Sequence, residues 1–481
     1  MTRLRFLFFA LLAIVAVAIV FACGEDPVTI PPPDTSADGA TQDGAASDAP
    51  TNADGGTSDA ADDSPDVVCP KATPDDATGV FVAAAGTTDA TCGTRADPCK
   101  TIALGITRAN AAGKAKVYVS RGVYVEHVVL TAGVRVEGGF DILADGSWNR
   151  TCVDPRTAVT LRAPTNSEVT VTANDLGGKA ELAFVRVESK AQAMVASGDS
   201  LYGVVARGAT TTLALEEVDI ETGDAVAALG GKPGDAGADG APTGCTPPST
   251  GANGPNGDGG AGAAAGTFGA SLYVESPGGN GTAGGTGQIG TTAGAAPCVQ
   301  CGSCNGGCTF VANGPMQCGT DGLAGCPGEG GGMGGGGLGG GSSVGLYAFN
   351  ATVTVKGGRI KAGDAGNGGA GGTGGTGGKG AAGTAGAQGL ECTTSCSNAT
   401  GTCVEIKSHA GPGTPGGNGG NGGNGGAGGG GAGGSSIAIF QGGAGIVTTD
   451  SATTLAVGKL GKGGGSGGSA GANGVSANRV P

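Results

Sequence analysis

Cys298, Cys301, Cys304 and Cys308 stand in the run CVQCGSCNGGC. The spacing C-x2-C-x2-C-x3-C suits an iron–sulfur cluster, and four thiolates so close could alternatively close a tetrahedral zinc site. Two features weigh against a cluster. Thr309 follows the fourth cysteine where a cluster run places proline, and Cys318, Cys326, Cys392, Cys396 and Cys403 follow at unrelated spacings. With Cys69, Cys92, Cys99, Cys152 and Cys245, fourteen cysteines remain beside Cys23 out of 15. An even number in an exported chain reads as a disulfide framework. Cys92 is expected to close on Cys99 across CGTRADPC, and the cysteines within 298–326 and 392–403 are expected to bridge inside their own segments. The other pairings cannot be read from spacing. No cofactor or metal is expected.

Whether thiols oxidise depends on compartment, and the N-terminus addresses that. Arg3 and Arg5 precede an uncharged apolar run from Phe6 to Ala22, the layout of a secretory signal. The run ends in VFAC, which resembles a lipoprotein cleavage box at Val20 and Ala22 and departs from it at Phe21. Cys23 is therefore the expected lipidation site and 1–22 the signal peptide. The competing reading is an uncleaved membrane helix, since the run is barely long enough to span. Either way the body is exported and tethered, at the cell surface or outer membrane. Residues 24–70 hold 11 Asp and Glu and no Lys or Arg. Such a segment cannot bury enough apolar surface to offset chain entropy, so 23–70 reads as a disordered, charge-extended tether. It accounts for most of the formal charge of −14. Without a basic stripe, nucleic acid is not an expected partner.

Enzymatic chemistry finds little to work with. Only two histidines are present: His127, in the strand-like VYVEHVVL, and His409, before a glycine tract. The acids and bases that could act with them, Asp199, Glu216, Glu217, Asp219, Glu221 and Arg207, suit a solvated sheet face equally well. No catalytic residue is assigned.

The elements that must carry these residues are short. Pro98 to Ala112 has apolar residues at helical spacing, with Gly113 placed to end the helix. Runs at 117–119, 123–129, 134–137, 158–162, 169–172, 181–188, 201–205 and 212–220 read as strands separated by Gly or polar turns. The series DPCKTI, a helix, VYVSRGVYVEHVVL and GVRVEGGF resembles the first coils of right-handed parallel β-helix proteins of the pectin-lyase-like class. It is most similar to a domain of unknown function in glycine-rich (PGRS-like) predicted surface lipoproteins of gliding soil bacteria. The resemblance implies an all-β solenoid with an N-terminal capping helix, over 71–229. It also supplies the rival function, a carbohydrate-active enzyme such as a polysaccharide lyase or hydrolase.

From residue 230 to 481 glycine dominates, in registers of three such as Gly368 to Gly389 and Gly413 to Gly434. That period fits an extended three-residue helix, but proline is too sparse for collagen. Either the tracts are flexible loops, or they form a polyglycine-II bundle in which neighbouring strands pair their free backbone groups. They resemble such bundles in phage tail-tip adhesins and some insect antifreeze proteins. A unit of two β runs and a closing Gly recurs at 202–224, 345–364 and 436–461, with ASLYVES near Leu272 as a shorter copy. This predicts β-helix coils that extrude glycine-rich excursions from one corner. The expected function is a lipid-anchored structural or adhesive surface protein, with a matrix, polysaccharide or cell-envelope partner.

Overall fold

The computed structural model describes residues 74–481 except 152–153, 243–244, 306–308, 399 and 466. The expected signal peptide, Cys23, the 23–70 tether, Cys69, Cys152 and Cys308 lie outside the described residues, as does the side chain of Cys403.

Successive turns of chain stack as coils. The first holds β1 (Gly79–Thr87) and helix α1 (Ile102–Ala112); the second holds β2 (Lys116–Ser120), β3 (Gly122–Val125) and β4 (Val128–Val129). The third runs through β5 (Arg135–Ile142), its hairpin partner β6 (Trp148–Arg150), helix α2 (Pro155–Ala158), β7 (Val159–Arg162) and β8 (Val169–Asn174). The fourth pairs β9 (Gly178–Glu188) with β10 (Leu201–Arg207). The fifth begins with β11 (Thr211–Glu221) and resumes at 343 after an excursion over 222–342. That excursion carries β12 (Thr267–Gly269), β13 (Leu272–Val274), β14 (Cys298–Gln300), β15 (Ser303–Cys304), β16 (Phe310–Val311) and β17 (Met316–Cys318). The coil then closes with β18 (Ser343–Phe349). The sixth holds β19 (Thr352–Lys356), β20 (Arg359–Lys361), an excursion with β21 (Glu391–Asn398) and β22 (Gly401–His409), and β23 (Ser436–Gly442). The seventh holds β24 (Ile446–Thr449), β25 (Thr454–Ala456) and β26 (Ser476–Val480).

Strands of successive coils pair in parallel. One sheet runs β1-β2-β5-β9-β11-β19-β24 with the shorter strands alongside; the other runs β4-β8-β10-β18-β23-β26. This is a parallel β-helix, and its core is made of columns. Val136, Leu182, Leu215 and Val355 stack in register and are buried. So do Val171, Val204, Leu346 and Ile439. No coil could bury these residues alone; stacking does it, at about 1.5–3 kcal/mol per side chain removed from water. In the last coil Ile439 registers with Arg479, whose guanidinium donates to the Val447 carbonyl at 3.1 Å.

The corners are columns too. Asp175, Gly208, Asn350 and Gly443 follow strands in mutual register, and all have positive φ. Asp, Asn and Gly tolerate that left-handed region best, so their recurrence in sequence sets the corner. At the closed end, α1 begins later than its apolar spacing suggests. Cys99 instead bridges to Val82 and Thr87 as extended chain. The helix N-terminus is satisfied by Thr101, which accepts from Leu104 N–H, and by the Glu126 carboxylate, which accepts from Ile102 and Ala103 N–H at 2.8 and 2.9 Å. Gly113, at φ 63°, ends it.

The glycine tracts are laid side by side. The first excursion goes out along 225–240, back along 251–263, out along 278–290 and back along 323–341. The second goes out along 365–384 and back along 413–434, and the seventh coil adds a short pair at 458–465 and 468–474. Antiparallel neighbours bond in steps of three: Gly419, Gly422, Gly425, Gly428 and Gly431 donate to the carbonyls of Ala381, Gly378, Gly375, Gly372 and Gly369 at 2.8–2.9 Å. Parallel neighbours do the same: Gly325, Gly328, Gly331 and Gly334 donate to Gly417, Gly420, Gly423 and Gly426 at 2.9–3.0 Å. Tract 413–434 bonds to six others, through Gly254, Gln288, Gly325, Ala381, Gly461 and Ser469. Only glycine fits at the positions of closest approach. A Cβ on Gly428 would lie 1.9 Å from the Gly335 carbonyl oxygen, and one on Gly429 1.9 Å from that of Ala261.

Each of the three longer repeat units runs from the second sheet of one coil into the first sheet of the next. ASLYVES does not. It supplies the turn and second strand of the antiparallel β12–β13 hairpin, which folds back onto the outer face of the second sheet. There Phe268 and Tyr273 pack with Tyr202, Tyr347 and Phe440. Aromatic burial against a neighbouring sheet overrides the resemblance to a coil.

Candidate functional site

The excursions leave and return at one corner, and a ladder of buried hydroxyls holds that corner. The Ser343 hydroxyl donates to the Gly223 carbonyl at 2.9 Å, lies 2.7 Å from the Thr222 hydroxyl, and accepts from Gly363 N–H at 2.9 Å. One coil on, Ser436 donates to Gly363 at 2.7 Å and accepts from Gly458 N–H at 2.9 Å. A parallel file runs from Ser200, which accepts from Ser342 N–H, to Ser342, which accepts from Ser435 N–H at 2.9 Å. The carboxylates beside it join in: Asp224 accepts from Asp364 N–H, and Asp364 from Lys459 N–H, both at 2.7 Å. Each departing strand thus ends on a Gly whose backbone groups are met by the serine of a returning strand.

Next to this corner the first sheet carries a charged groove of about 490 Å³, lined by Arg162, Arg186, Glu188, Lys190, Glu221 and Lys361 among others. Register aligns Arg162, Glu188, Glu221 and Lys361 as neighbours on β7, β9, β11 and β20. Glu188 and Glu221 side by side would repel. Arg186 bridges both, at 3.1 Å to Glu188 and in closer contact with Glu221. Arg162 adds 2.6 Å to Glu188, and Lys361 2.7 Å to Glu221. The Lys361 ammonium and the Arg186 guanidinium hold the Glu221 carboxyl below its ordinary value of 4.5. Glu188 and Glu221 are both ion-paired, an arrangement suited to holding coils together. Proton donation by an acid needs a raised pKa, and Glu221 moves the other way.

Of the residues singled out in the sequence, Glu217 and Asp219 share Arg156, and the rest are spread over separate partners. Glu216 pairs with Arg135 at 2.8 Å; Glu217 and Asp219 lie 3.4 and 3.8 Å from Arg156. Asp199 accepts from Lys190 at 2.5 Å, and Arg207 donates to the Ala270 carbonyl at 2.9 Å. His127 meets the Thr172 hydroxyl at 2.7 Å, and burial pushes its pKa down. His409 lies opposite Glu391 at the end of β22. Only Glu221 lies in the groove. Its other charged members were unassigned in the sequence, although the alternation of ELAFVRVE could have flagged Arg186 and Glu188.

The cysteines organise the far turns of the excursions. Cys92 is bonded to Cys99. Cys298 is bonded to Cys318 between β14 and β17, and Cys245 to Cys326. Cys301 pairs with Cys392, and Cys304 with Cys396. The expectation of bridges inside each segment holds for Cys298–Cys318 and is otherwise corrected: Cys326 pairs with Cys245 outside its segment, and Cys301–Cys392 and Cys304–Cys396 join the first excursion to the second. Lateral pairing of the tracts brings both turning points to the same place, so partners distant in sequence become nearest neighbours. Cys298, Cys301 and Cys304 each have a different partner, and among the described residues no group of three or more His, Cys, Asp or Glu could hold a metal ion.

No family model matches the chain, and no curated protein matches it. Among solved structures it is similar to a pectin methylesterase from Aspergillus niger in deglycosylated form, at 13% identity and a TM-score of 0.17, over 32% of this chain and 60% of that one. It is also similar to a mutant pectin methylesterase in complex with a hexasaccharide, at 14% identity and a TM-score of 0.16, over 31% and 49%. The chain thus spans less than two thirds of either enzyme. A likeness this slight carries no inference about activity; the parallel β-helix rests on the strand pairings themselves.

Proposed function

We propose that the chain is an exported, lipid-anchored surface protein with a structural or adhesive role. Cys23 carries the lipid, and the acidic segment to residue 70 spaces the body from the membrane. The β-helix is the mount. The glycine tracts form a polyglycine-II bundle that holds the disulfide-stapled hairpins away from it. The observation that carries this reading is the three-residue register of N–H to C=O bonds between tracts. A bundle so bonded is stiff without a side-chain core, since its buried backbone groups are paired. Its partner belongs to the matrix, a polysaccharide or the cell envelope; among the described residues, cations such as Arg135 and Arg186 are spent on neighbouring carboxylates, which disfavours nucleic acid. Mass spectrometry of the chain from membranes is expected to find acyl groups on Cys23, and labelled chain is expected to bind isolated envelopes. An unmodified Cys23 together with no envelope binding would overturn the reading.

A second reading, a carbohydrate-active protein of the pectin-lyase-like class, is favoured by the charged groove on a parallel β-helix. Acidic polysaccharides screened with and without calcium decide it. Cleavage that disappears in a Glu188→Gln/Glu221→Gln variant would replace the structural reading.

A further inference from the structure

The hairpin at the turn of the second excursion is a two-stranded sheet: β21 pairs with β22 and, among the described residues, no other strand joins them. The hairpins of the first excursion attach on the β21 side, through Cys301–Cys392, Cys304–Cys396 and a hydrogen bond from Thr394 to the Gly302 carbonyl. Along residues 405–409 the outer edge of β22 presents backbone groups to which, among the described residues, no strand is paired. Two strands alone are marginal in water, and an open edge is a template for another strand.

Its charges say which strand. Glu405 and Lys407 lie two apart on β22, on one face, with about half or more of each side chain exposed. Lys407 reaches Glu405 and Glu391 only at 3.7 and 3.8 Å. Consider β22 laid antiparallel against another β22 about a two-fold axis at Ile406. Glu405 then faces Lys407 of the partner subunit, and Lys407 faces Glu405 of the partner subunit. Directly opposed unlike charges stabilise such a pair and like charges destabilise it. The sequence around Ile406 is thus self-complementary, as a two-fold interface requires.

We propose that the hairpin at this turn is a homophilic contact site, in which β22 pairs with β22 of a second copy to give a four-stranded sheet. The inference rests on the adhesive reading and names its partner: another molecule of this chain. Energy transfer between donor-labelled and acceptor-labelled full chains, purified in detergent, tests it. Wild-type chains are expected to give concentration-dependent transfer. Glu405→Lys and Lys407→Glu should each weaken association by about tenfold, since both opposed pairs become like-charged. An equimolar mixture of the two variants should recover wild-type transfer, because each mismatch is then cured by the other chain. No transfer up to about 0.1 mM, well above the Kd of a functional contact, would overturn the proposal. So would transfer that the single substitutions leave unchanged, or a mixture no better than either variant. These failures leave acylation of Cys23 and envelope binding untouched, so they are distinct from failure of the surface-protein reading.

Discussion

Ser436 donates its hydroxyl to the carbonyl of Gly363 at 2.7 Å, joining the strand that re-enters the β-helix to the residue at which the chain left it. Both partners are inaccessible to water, and the same hydroxyl also accepts the N–H of Gly458. Ser436→Ala would orphan a buried carbonyl and a half-buried N–H together. A cost of about 1–3 kcal/mol is expected, read as a lowered urea midpoint at unchanged slope. Thr376→Ala, on an exposed tract position, should stay within about 0.5 kcal/mol. Equal effects of the two would show that the hydroxyl ladder holds nothing.

Gly428 tests the bundle. Its neighbour across the gap is backbone, the Gly335 carbonyl, so no rotamer change can admit a methyl group. Gly428→Ala must move tract 413–434 away from 323–341 and break bonds such as Gly337 to Gly429. The expected loss is about 3 kcal/mol or more, combining overpacking with unpaired amides. Hydrogen exchange should accelerate along both tracts while β9 and β11 stay protected. Uniformly fast exchange in the wild-type tracts would mean that the lateral bonds do not persist in solution.

How much of this was legible beforehand follows from how local each signal is. Strand runs such as Val169 to Thr172 and the helix ending at Gly113 depend on nearby residues, and the sequence pattern found them. The closing Gly that recurs before each glycine tract was visible as well, yet its role was not. Ser343 meets Thr222 across 121 positions of chain, and no periodicity connects them. The same distance hid the Cys301–Cys392 bridge, because tract order had to be known first. Arg186 was missed for another reason: an alternating strand exposes its charges whether or not they meet, and only register showed it set between Glu188 and Glu221.

The bridges between excursions should matter more to order at the turn than to the β-helix. Cys301–Cys392 and Cys304–Cys396 close loops of 91 and 92 residues, for which chain entropy gives about 4–5 kcal/mol, largely shared because the loops overlap. A Cys304→Ser/Cys396→Ser variant should keep most of that stabilisation. Removing Cys301 and Cys392 as well should not. Limited proteolysis of the quadruple variant is expected to cut within 385–412 first, leaving the paired sheets intact. Early cutting inside 178–221 would place the bridges' contribution in the β-helix itself.

Stability should fall in acid, with a sign fixed by the ion pairs. The Glu181 carboxyl is held below its ordinary value of 4.5 by hydrogen bonds from Lys179 and Arg135, and that of Asp141 below 3.8 by Arg121. Glu221 is held down by Lys361 and Arg186. A depressed carboxyl binds fewer protons folded than unfolded, so its stabilisation is complete above the unfolded value and is lost as pH falls through the folded one. His127, lowered by burial, acts in the same direction beginning below its ordinary 6.5. The melting temperature should therefore be level between about pH 7 and 9, drop slightly towards pH 5, and fall steeply below about pH 4.5. Glu181→Gln should flatten the acid limb, and His127→Gln the shallow step alone. A melting temperature that rises on acidification from pH 6 to 4 would mean that carboxylate repulsion, as between Glu188 and Glu221, outweighs the pairs that cross it.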